Sequence, residues 1–176
     1  MQKYYYHVVT GRPMKLNQEI IFDDEHHSEI YERVYNLEDK VKQIYSNPNK
    51  YNDEELDHYT KVALRELALE EVRKSKFPNY PSRLASLYVS NSLEEAKVWY
   101  NYFLSLGRST YQIVKISVDG NSFTGDAHNC FDGTVNKQSN LEKAEKYWNR
   151  EYNTKGKKPL YETIVDGKIK VIEIVK

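Results

Sequence analysis

The chain has 176 residues, the length of about one domain, with 39% apolar and 30% charged residues and 26 basic side chains against 26 acidic ones. A chain of this size buries roughly two-thirds of its unfolded surface and needs no disulfide or structural metal to fold. Its aromatic content argues against a disordered chain, its zero net charge against a general nucleic-acid binder, and the lack of any apolar run near ~20 residues against a membrane span.

The first predicted element is a strand. Residues Tyr4–Thr10 are dense in aromatic and β-branched side chains and stop at a Gly-Arg-Pro segment, which predicts a strand followed by a loop. The same N-terminal sequence lacks the apolar segment and cleavage site of a secretory signal. Residues 18–22 predict a short extended segment, and residues 28–35 predict a short helix.

A long helical pattern follows. Apolar residues recur at helical spacing between Asp53 and Lys74, and three acidic residues fall in the first turn, where the helix dipole favours negative charge. Pro78 and Pro81 end the helical order. We therefore expect a charged helical insertion at about residues 37–76.

The middle of the chain predicts a strand, a helix and a second strand. Residues Leu84–Val89 indicate the first strand. Ser92 with Glu95 three residues later forms a capping box, the signature of a helix start, and Gly107 ends that helix. Residues Tyr111–Val118 alternate between apolar and polar side chains, which predicts the second strand.

The last third predicts a loop, a helix and a β-hairpin. Residues 121–138 are polar and glycine-containing and indicate a long loop. Ser139 with Glu142 repeats the capping-box pattern ahead of a helix. Leu160–Val165 and Ile169–Val175 flank an Asp-Gly turn and predict the hairpin.

Strands at both ends and in the middle, with helices between them, predict an α+β fold over a single domain, residues 1–176. The single cysteine, Cys130, excludes an internal disulfide and fits a reducing compartment. We therefore expect a soluble, cytoplasmic protein with no membrane partner.

Three polar clusters have both a functional and a structural interpretation. His26 and His27 follow three acidic residues, but no His pair lies four residues apart, so a solvated loop is favoured and no metal is expected. Cys130 lies two residues from His128, yet catalytic Cys–His pairs are set in space rather than in sequence, which favours a structural thiol. The lysines of residues 155–158 either contact phosphate or are only solvated.

A stronger signal is distributed over three strands. The first strand carries His7 after a tyrosine and ends in Thr-Gly, the middle strand carries Tyr88 ahead of an alanine-containing capped helix, and the penultimate strand carries Glu162 in a Glu-x-Ile-Val sequence. This ordered trio resembles the ADP-ribosyltransferase superfamily, in the branch with a His–Tyr–Glu triad shared by diphtheria-like toxins and poly(ADP-ribose) polymerases. The resemblance covers nearly the whole chain except residues 14–75. The Gly-Asp sequence within residues 121–126 is similar to a loop of the rifampicin-modifying relatives.

The resemblance implies an ADP-ribosyltransferase-like split antiparallel β-sheet core with flanking helices and the helical insertion. It also implies an NAD-dependent mono-ADP-ribosyltransferase that uses NAD as co-substrate and modifies an unidentified protein, nucleic acid or small molecule. Tyr88 would stack on nicotinamide, His7 would hold the adenine-side ribose, and Glu162 would stabilise the developing positive charge and bind a ribose hydroxyl. The residues expected to bind NAD are His7, Thr10, Gly11, Tyr88 and Ser90.

The chain departs from the family pattern at two positions. The family has glycine directly after the histidine, whereas Val8 and Val9 intervene here. Many arginine- or asparagine-directed relatives have a second glutamate two residues before the catalytic one, where this chain has Leu160. Arginine transfer is therefore the less expected activity.

Each of the three residues also has a structural interpretation. His7 and Tyr88 can be core residues of their strands, whereas a lone carboxylate such as Glu162 in a half-buried strand is costly unless it is paired, at an edge or functional.

Two other functions remain open from the sequence. One is a non-catalytic module that binds a nucleotide or a partner protein on the same fold, for example as an inhibitor. The other is an RNA 2′-phosphotransferase-like enzyme, for which the available basic residues are Arg12, Arg83, Arg108 and the lysines of residues 155–158.

Overall fold

The computed structural model describes residues 2–176, which group into two compact units. The first, here called the β unit, comprises Met1–His26, Ala85–Thr124 and Glu162–Lys176, and the second, the helical unit, comprises His27–Leu84 and Gly125–Tyr161. The fold class is α+β, as predicted. The expectation of one domain over residues 1–176 stays a prediction.

Residues 2–176 contain seven strands and five α-helices, with three short 3₁₀ turns. The strands are β1 (Lys3–Thr10), β2 (Glu19–Phe22), β3 (Leu87–Val89), β4 (Thr110–Asp119), β5 (Ser122–Asp126), β6 (Tyr161–Val165) and β7 (Gly167–Ile174). The helices are α1 (Ile30–Tyr35), α2 (Glu38–Ser46), α3 (His58–Lys76), α4 (Leu93–Ser105) and α5 (Lys137–Trp148). Within residues 2–176, no helix combines the length and the apolar character needed to cross a membrane.

The strands form two sheets. The larger sheet has the order β1-β4-β7-β2 with antiparallel pairs throughout, and the smaller has the order β3-β6-β5. Alternating side chains contribute to a core in the β unit that comprises Tyr5, Val9, Val89, Val114, Ile116, Val118, Val165, Ile169 and Val171. The period-two pattern that predicted β4 is therefore the pattern of burial of Val114, Ile116 and Val118 in this core.

The predicted C-terminal hairpin is wrong, because β6 and β7 lie in different sheets. Strand β6 pairs with β3, whereas β7 pairs with β4 and β2. The chain changes sheet at Gly167, and β4 changes to β5 beside it at Gly120. A side-chain carbon on Gly167 would overlap the Asp119 carbonyl, and one on Gly120 would overlap the carbonyl of Asp166. The Asn121 N–H donates to Asp166 Oδ1 at 2.7 Å and fastens the two crossings together.

The predicted loop over residues 121–138 is also wrong in part, because its first residues form β5. The Gly-Asp sequence assigned to a loop therefore lies in a strand. Thr124 in β5 and Thr163 in β6 share a hydrogen bond at 2.8 Å, and Phe123 is buried. This hydrogen bond joins β5 to β6. The sequence of β5 shows no alternating apolar pattern from which the strand could have been predicted.

The helical insertion predicted over residues 37–76 is confirmed, with a later start for its long helix. Asp57 Oδ1 accepts the Thr60 N–H at 2.8 Å and caps α3, which begins at His58. Residues Asp53–Glu55, expected in the helix, form a separate 3₁₀ turn. A second core forms here between α2 and α3: Val41, Ile44, Ala63 and Leu64.

One of the two predicted capping boxes is confirmed. Ser92 Oγ accepts the Glu95 N–H at 3.2 Å, and α4 ends ahead of Gly107, whose φ is +74°. Helix α5 instead begins one turn early, because Asn136 Oδ1 accepts the Ser139 N–H at 2.9 Å.

Candidate functional site

The site predicted from the sequence begins where β1 and β3 part. A bridge joins β1 to Ser90, the residue after β3, with the Tyr6 N–H donating to the Ser90 carbonyl at 2.9 Å and the Ser90 N–H donating to the Tyr6 carbonyl at 2.7 Å. One residue further along β1, the His7 side chain takes over the contact, because its Nδ1 lies 2.7 Å from the Tyr88 carbonyl oxygen. The His7 imidazole thus bonds to the Tyr88 carbonyl in place of a backbone N–H of β1.

This contact fixes the chemistry of the His7 ring. A carbonyl oxygen only accepts, so Nδ1 carries the proton and Nε2 is the acceptor of the neutral ring. Burial lowers the pKa of His7, and the hydrogen bond to the Tyr88 carbonyl offsets only part of that effect. In residues 2–176, no hydrogen bond to Nε2 is found. The ring is therefore a neutral acceptor, suited to a hydroxyl donor.

Tyr88 and Glu162 share one face of the smaller sheet. In the antiparallel β3–β6 pair, Tyr88 lies opposite Ile164, and Val89 lies opposite Thr163. Glu162 lies two residues before Ile164, so the pleat turns it to the same side as Tyr88, at the diagonal spacing of about 7–8 Å. Tyr88 is 44% exposed and Glu162 is half-buried. An aromatic ring and a carboxylate thus lie on the same face of the sheet.

The opposite face of β6 is held by hydrogen bonds that the sequence analysis missed. Asn91 Nδ2 donates to Thr163 Oγ1 at 3.0 Å, and Thr163 shares its second bond with Thr124. The Glu95 carboxylate accepts the Asn91 N–H at 3.1 Å. These contacts fix the strand next to Glu162. The signal was a threonine in the middle of β6 and an asparagine two residues after β3.

The remaining predicted NAD-binding residues lie in two places, one beside the His7 contact and one at the end of β1. Ser90 is 5% exposed and is engaged through its backbone with Tyr6, next to the His7 contact. Thr10 and Gly11 lie three to four residues further along β1, about 10 Å from His7. Arg108 Nη2 donates to Thr10 Oγ1 at 3.2 Å, and Gly11 has a φ of +87°. A guanidinium group therefore lies beside the Thr-Gly end of the strand.

Arg83, counted among the basic residues of an RNA-binding cleft, is not a surface residue. It is 8% exposed in the helical unit and donates to the Glu66 carboxylate at 3.1–3.3 Å and to the Tyr147 hydroxyl at 2.8 Å. Burial acts to raise the pKa of Glu66, but Arg83 and Arg65 outweigh it and hold that pKa below its usual value. Arg83 is therefore not available to an RNA-binding cleft, because its charge is used inside the fold.

The other polar clusters also resolve into local contacts. His26 Nδ1 lies 2.7 Å from Asp23 Oδ1. His27 stacks on Tyr31 with ring centroids 3.6 Å apart. Cys130 Sγ lies 3.8 Å from Arg83 Nη2. Across the part of the chain that the structure describes, no three His, Cys, Asp or Glu side chains are grouped to bind a metal.

Comparison with known proteins gives a family and no activity. No curated protein matches the chain. The sequence model of one family, described as "Protein of unknown function (DUF2441)", matches residues 5–176, nearly the whole chain. The chain therefore belongs to the DUF2441 family.

Proposed function

We propose that the protein is an NAD-dependent mono-ADP-ribosyltransferase, which cleaves the nicotinamide N-glycosidic bond and transfers ADP-ribose to an acceptor. The observation that carries this proposal is the common face of Tyr88 and Glu162 beside the His7 contact. On this proposal the two sheets correspond to the split sheet of the ADP-ribosyltransferase superfamily. An NAD-consuming enzyme with one cysteine would work in the cytoplasm.

The proposed roles follow from the chemistry of NAD. Nicotinamide is a flat ring, and the 44% exposed Tyr88 offers a face on which it can stack. The ribose of the adenosine half carries hydroxyl donors, which suit the acceptor Nε2 of a neutral His7. Thr10 and Gly11, with Arg108 beside them, would bind the cofactor further along β1.

The reaction needs a carboxylate close to the reacting carbon. The bond between C1′ of the ribose and the nicotinamide nitrogen breaks, and nicotinamide leaves as a neutral molecule with the bonding electron pair. The ribose becomes an oxocarbenium-like cation, as in glycoside hydrolysis. Glu162 would stabilise that cation and accept a hydrogen bond from the neighbouring ribose hydroxyl. The acceptor nucleophile then bonds to C1′ and loses its proton to solvent.

Nicotinamide release from NAD tests the proposal directly. We expect Glu162→Gln to lower the rate by about 10²- to 10³-fold, the typical cost of removing one electrostatic group from a transition state. We expect Tyr88→Ala to weaken NAD binding by removing the platform for nicotinamide. If the isolated protein releases no nicotinamide, cell lysate and labelled NAD supply the acceptor.

Two matched variants serve as controls. Glu173→Gln removes a carboxylate from β7, and Tyr111→Ala removes a 46% exposed tyrosine from β4. Both should keep the wild-type rate. NAD binding without nicotinamide release, with and without lysate, would instead favour the non-catalytic nucleotide-binding module. No binding and no release would overturn both interpretations.

A further inference from the structure

The helical unit contains a cavity that the proposed transferase reaction does not use. Its volume is about 200 Å³, and it opens between α1 and the N-terminal half of α3. Its walls are formed by Ile30, Arg33, Val34, His58, Tyr59, Val62 and Arg65. These positions recur at helical spacing, so one face of each helix lines the cavity.

The cavity as a whole is large enough for a small ring, and part of its wall is apolar. Ile30 and Val34 lie one turn apart on α1, and Val62 contributes an aliphatic side chain from α3. An apolar protein cavity of about 150 Å³ is known to hold benzene. A six-membered ring or a branched aliphatic group therefore fits this space.

The polar part of the wall is cationic. Arg33 lies with its Cζ 5.8 Å from the centroid of the Tyr59 ring, and no described carboxylate forms an ion pair with it. Arg65 Nε lies 3.2 Å from Glu66 Oε1, but the Glu66 carboxylate also accepts hydrogen bonds from Arg83. One negative charge is thus shared by two guanidinium groups. The residues that line the cavity include two arginines and no acidic side chain.

We infer that this cavity binds a small carboxylate with a compact apolar body, such as an aromatic or branched aliphatic acid. A guanidinium matches the planar carboxylate with two parallel hydrogen bonds. The aliphatic wall of Ile30, Val34 and Val62 takes the apolar body, which inorganic phosphate lacks. Inorganic phosphate would also lose its hydration against that wall. This site is independent of the proposed NAD chemistry in the β unit.

Titration of the isotope-labelled protein with benzoate tests the inference, followed by amide chemical shifts. We expect binding on the order of 1 mM, as suits a ligand of so few atoms, with the shifts concentrated in α1 and the first half of α3. Benzyl alcohol, which has the ring without the charge, should bind about tenfold more weakly. Inorganic phosphate, which has the charge without the ring, should also bind about tenfold more weakly.

Variants separate the cavity from general surface effects. Arg33→Gln should weaken benzoate binding about tenfold, and Arg33→Lys should weaken it less because the charge remains. Val62→Phe should abolish binding by filling the cavity, whereas Arg12→Gln, which removes an exposed arginine of the β unit, should have no effect. Equal affinity for benzoate and benzyl alcohol, shifts outside α1 and α3, or no binding below about 20 mM would each overturn the inference.

Discussion

The two units use charged and aromatic side chains in opposite ways. In the helical unit, Glu66 is 2% exposed, Arg83 is 8% exposed and Tyr147 is fully buried, and the three satisfy one another through hydrogen bonds. In the β unit, Tyr88 is 44% exposed and Glu162 is half-buried on the same face of one strand pair. The first arrangement is closed to solvent and stabilises the fold, whereas the second is partly exposed to solvent.

The pKa directions show the same difference in physical terms. Burial acts to raise the pKa of Glu66, yet the guanidinium groups of Arg83 and Arg65 lower it overall, so the carboxylate stays charged inside the fold. For His7, burial is the larger cause and lowers the pKa, so the ring stays neutral. In the helical unit, ion pairing keeps the Glu66 carboxylate charged. In the β unit, burial keeps the His7 ring neutral, so its Nε2 remains a hydrogen-bond acceptor.

Breaking the buried pair should give the largest effect on stability. Glu66→Gln leaves the Arg83 charge buried without its carboxylate, which typically costs about 3–5 kcal/mol of unfolding free energy. Urea unfolding followed by Trp148 fluorescence, in a Trp99→Phe background, measures the loss. Glu71→Gln, an exposed position on the same helix, is the matched control and should change the unfolding free energy by less than about 0.5 kcal/mol. Equal effects of the two variants would show that the buried cluster is not what holds the helical unit together.

A backbone substitution at the sheet crossing should give the next largest effect. Gly167 has a φ of +84° and packs against the Asp119 carbonyl, so Gly167→Ala adds both backbone strain and a steric overlap. We expect a loss of about 2–3 kcal/mol of unfolding free energy. Gly107→Ala is the control, because Gly107 has a similar φ of +74° with no atom within 4 Å of the added carbon. It should cost only about 1 kcal/mol. If Gly167→Ala and Gly107→Ala lower the unfolding free energy equally, the close approach of the two crossings contributes nothing to stability.

Local signals in the sequence predicted most elements of the fold. Ser92 and Glu95 marked the start of α4, and the alternation in Tyr111–Val118 marked β4, because capping and burial act over a few residues. The prediction of a C-terminal hairpin was wrong for a long-range reason. The Asp-Gly turn signal is the same whether the chain folds back or changes sheet, and the second crossing at Gly120 decides between them.

For the candidate site, the sequence predicted the residues but not the strand register or the contacts between them. A strand pattern gives the face of each side chain but not the register, which brings Tyr88 and Ile164 opposite each other. The His7 contact with the Tyr88 carbonyl joins positions 81 residues apart, and no local pattern indicates it. The pairing of Arg83 with Glu66 is equally invisible to local patterns, since Glu66 lies on another element.

The pH dependence of stability should give the smallest effect and the sharpest comparison. The pKa of His7 is lowered from an ordinary 6.5, so the unfolded chain binds the proton more tightly. The stability that His7 contributes is therefore complete above about pH 6.5 and is lost as the pH falls below it. Glu66, lowered from 4.5, contributes in full above that value and loses its contribution only in more acidic solution. His7→Gln should remove the upper phase from a plot of unfolding free energy against pH and leave the lower phase. Glu66→Gln should reduce the lower phase, to which other carboxyls with a lowered pKa, such as Asp126, also contribute. Nicotinamide release should fall only at lower pH, at the lowered pKa of the folded His7 where the upper phase ends, because a protonated ring has no acceptor at Nε2. A pH profile that His7→Gln leaves unaltered would mean that the ring contributes packing alone.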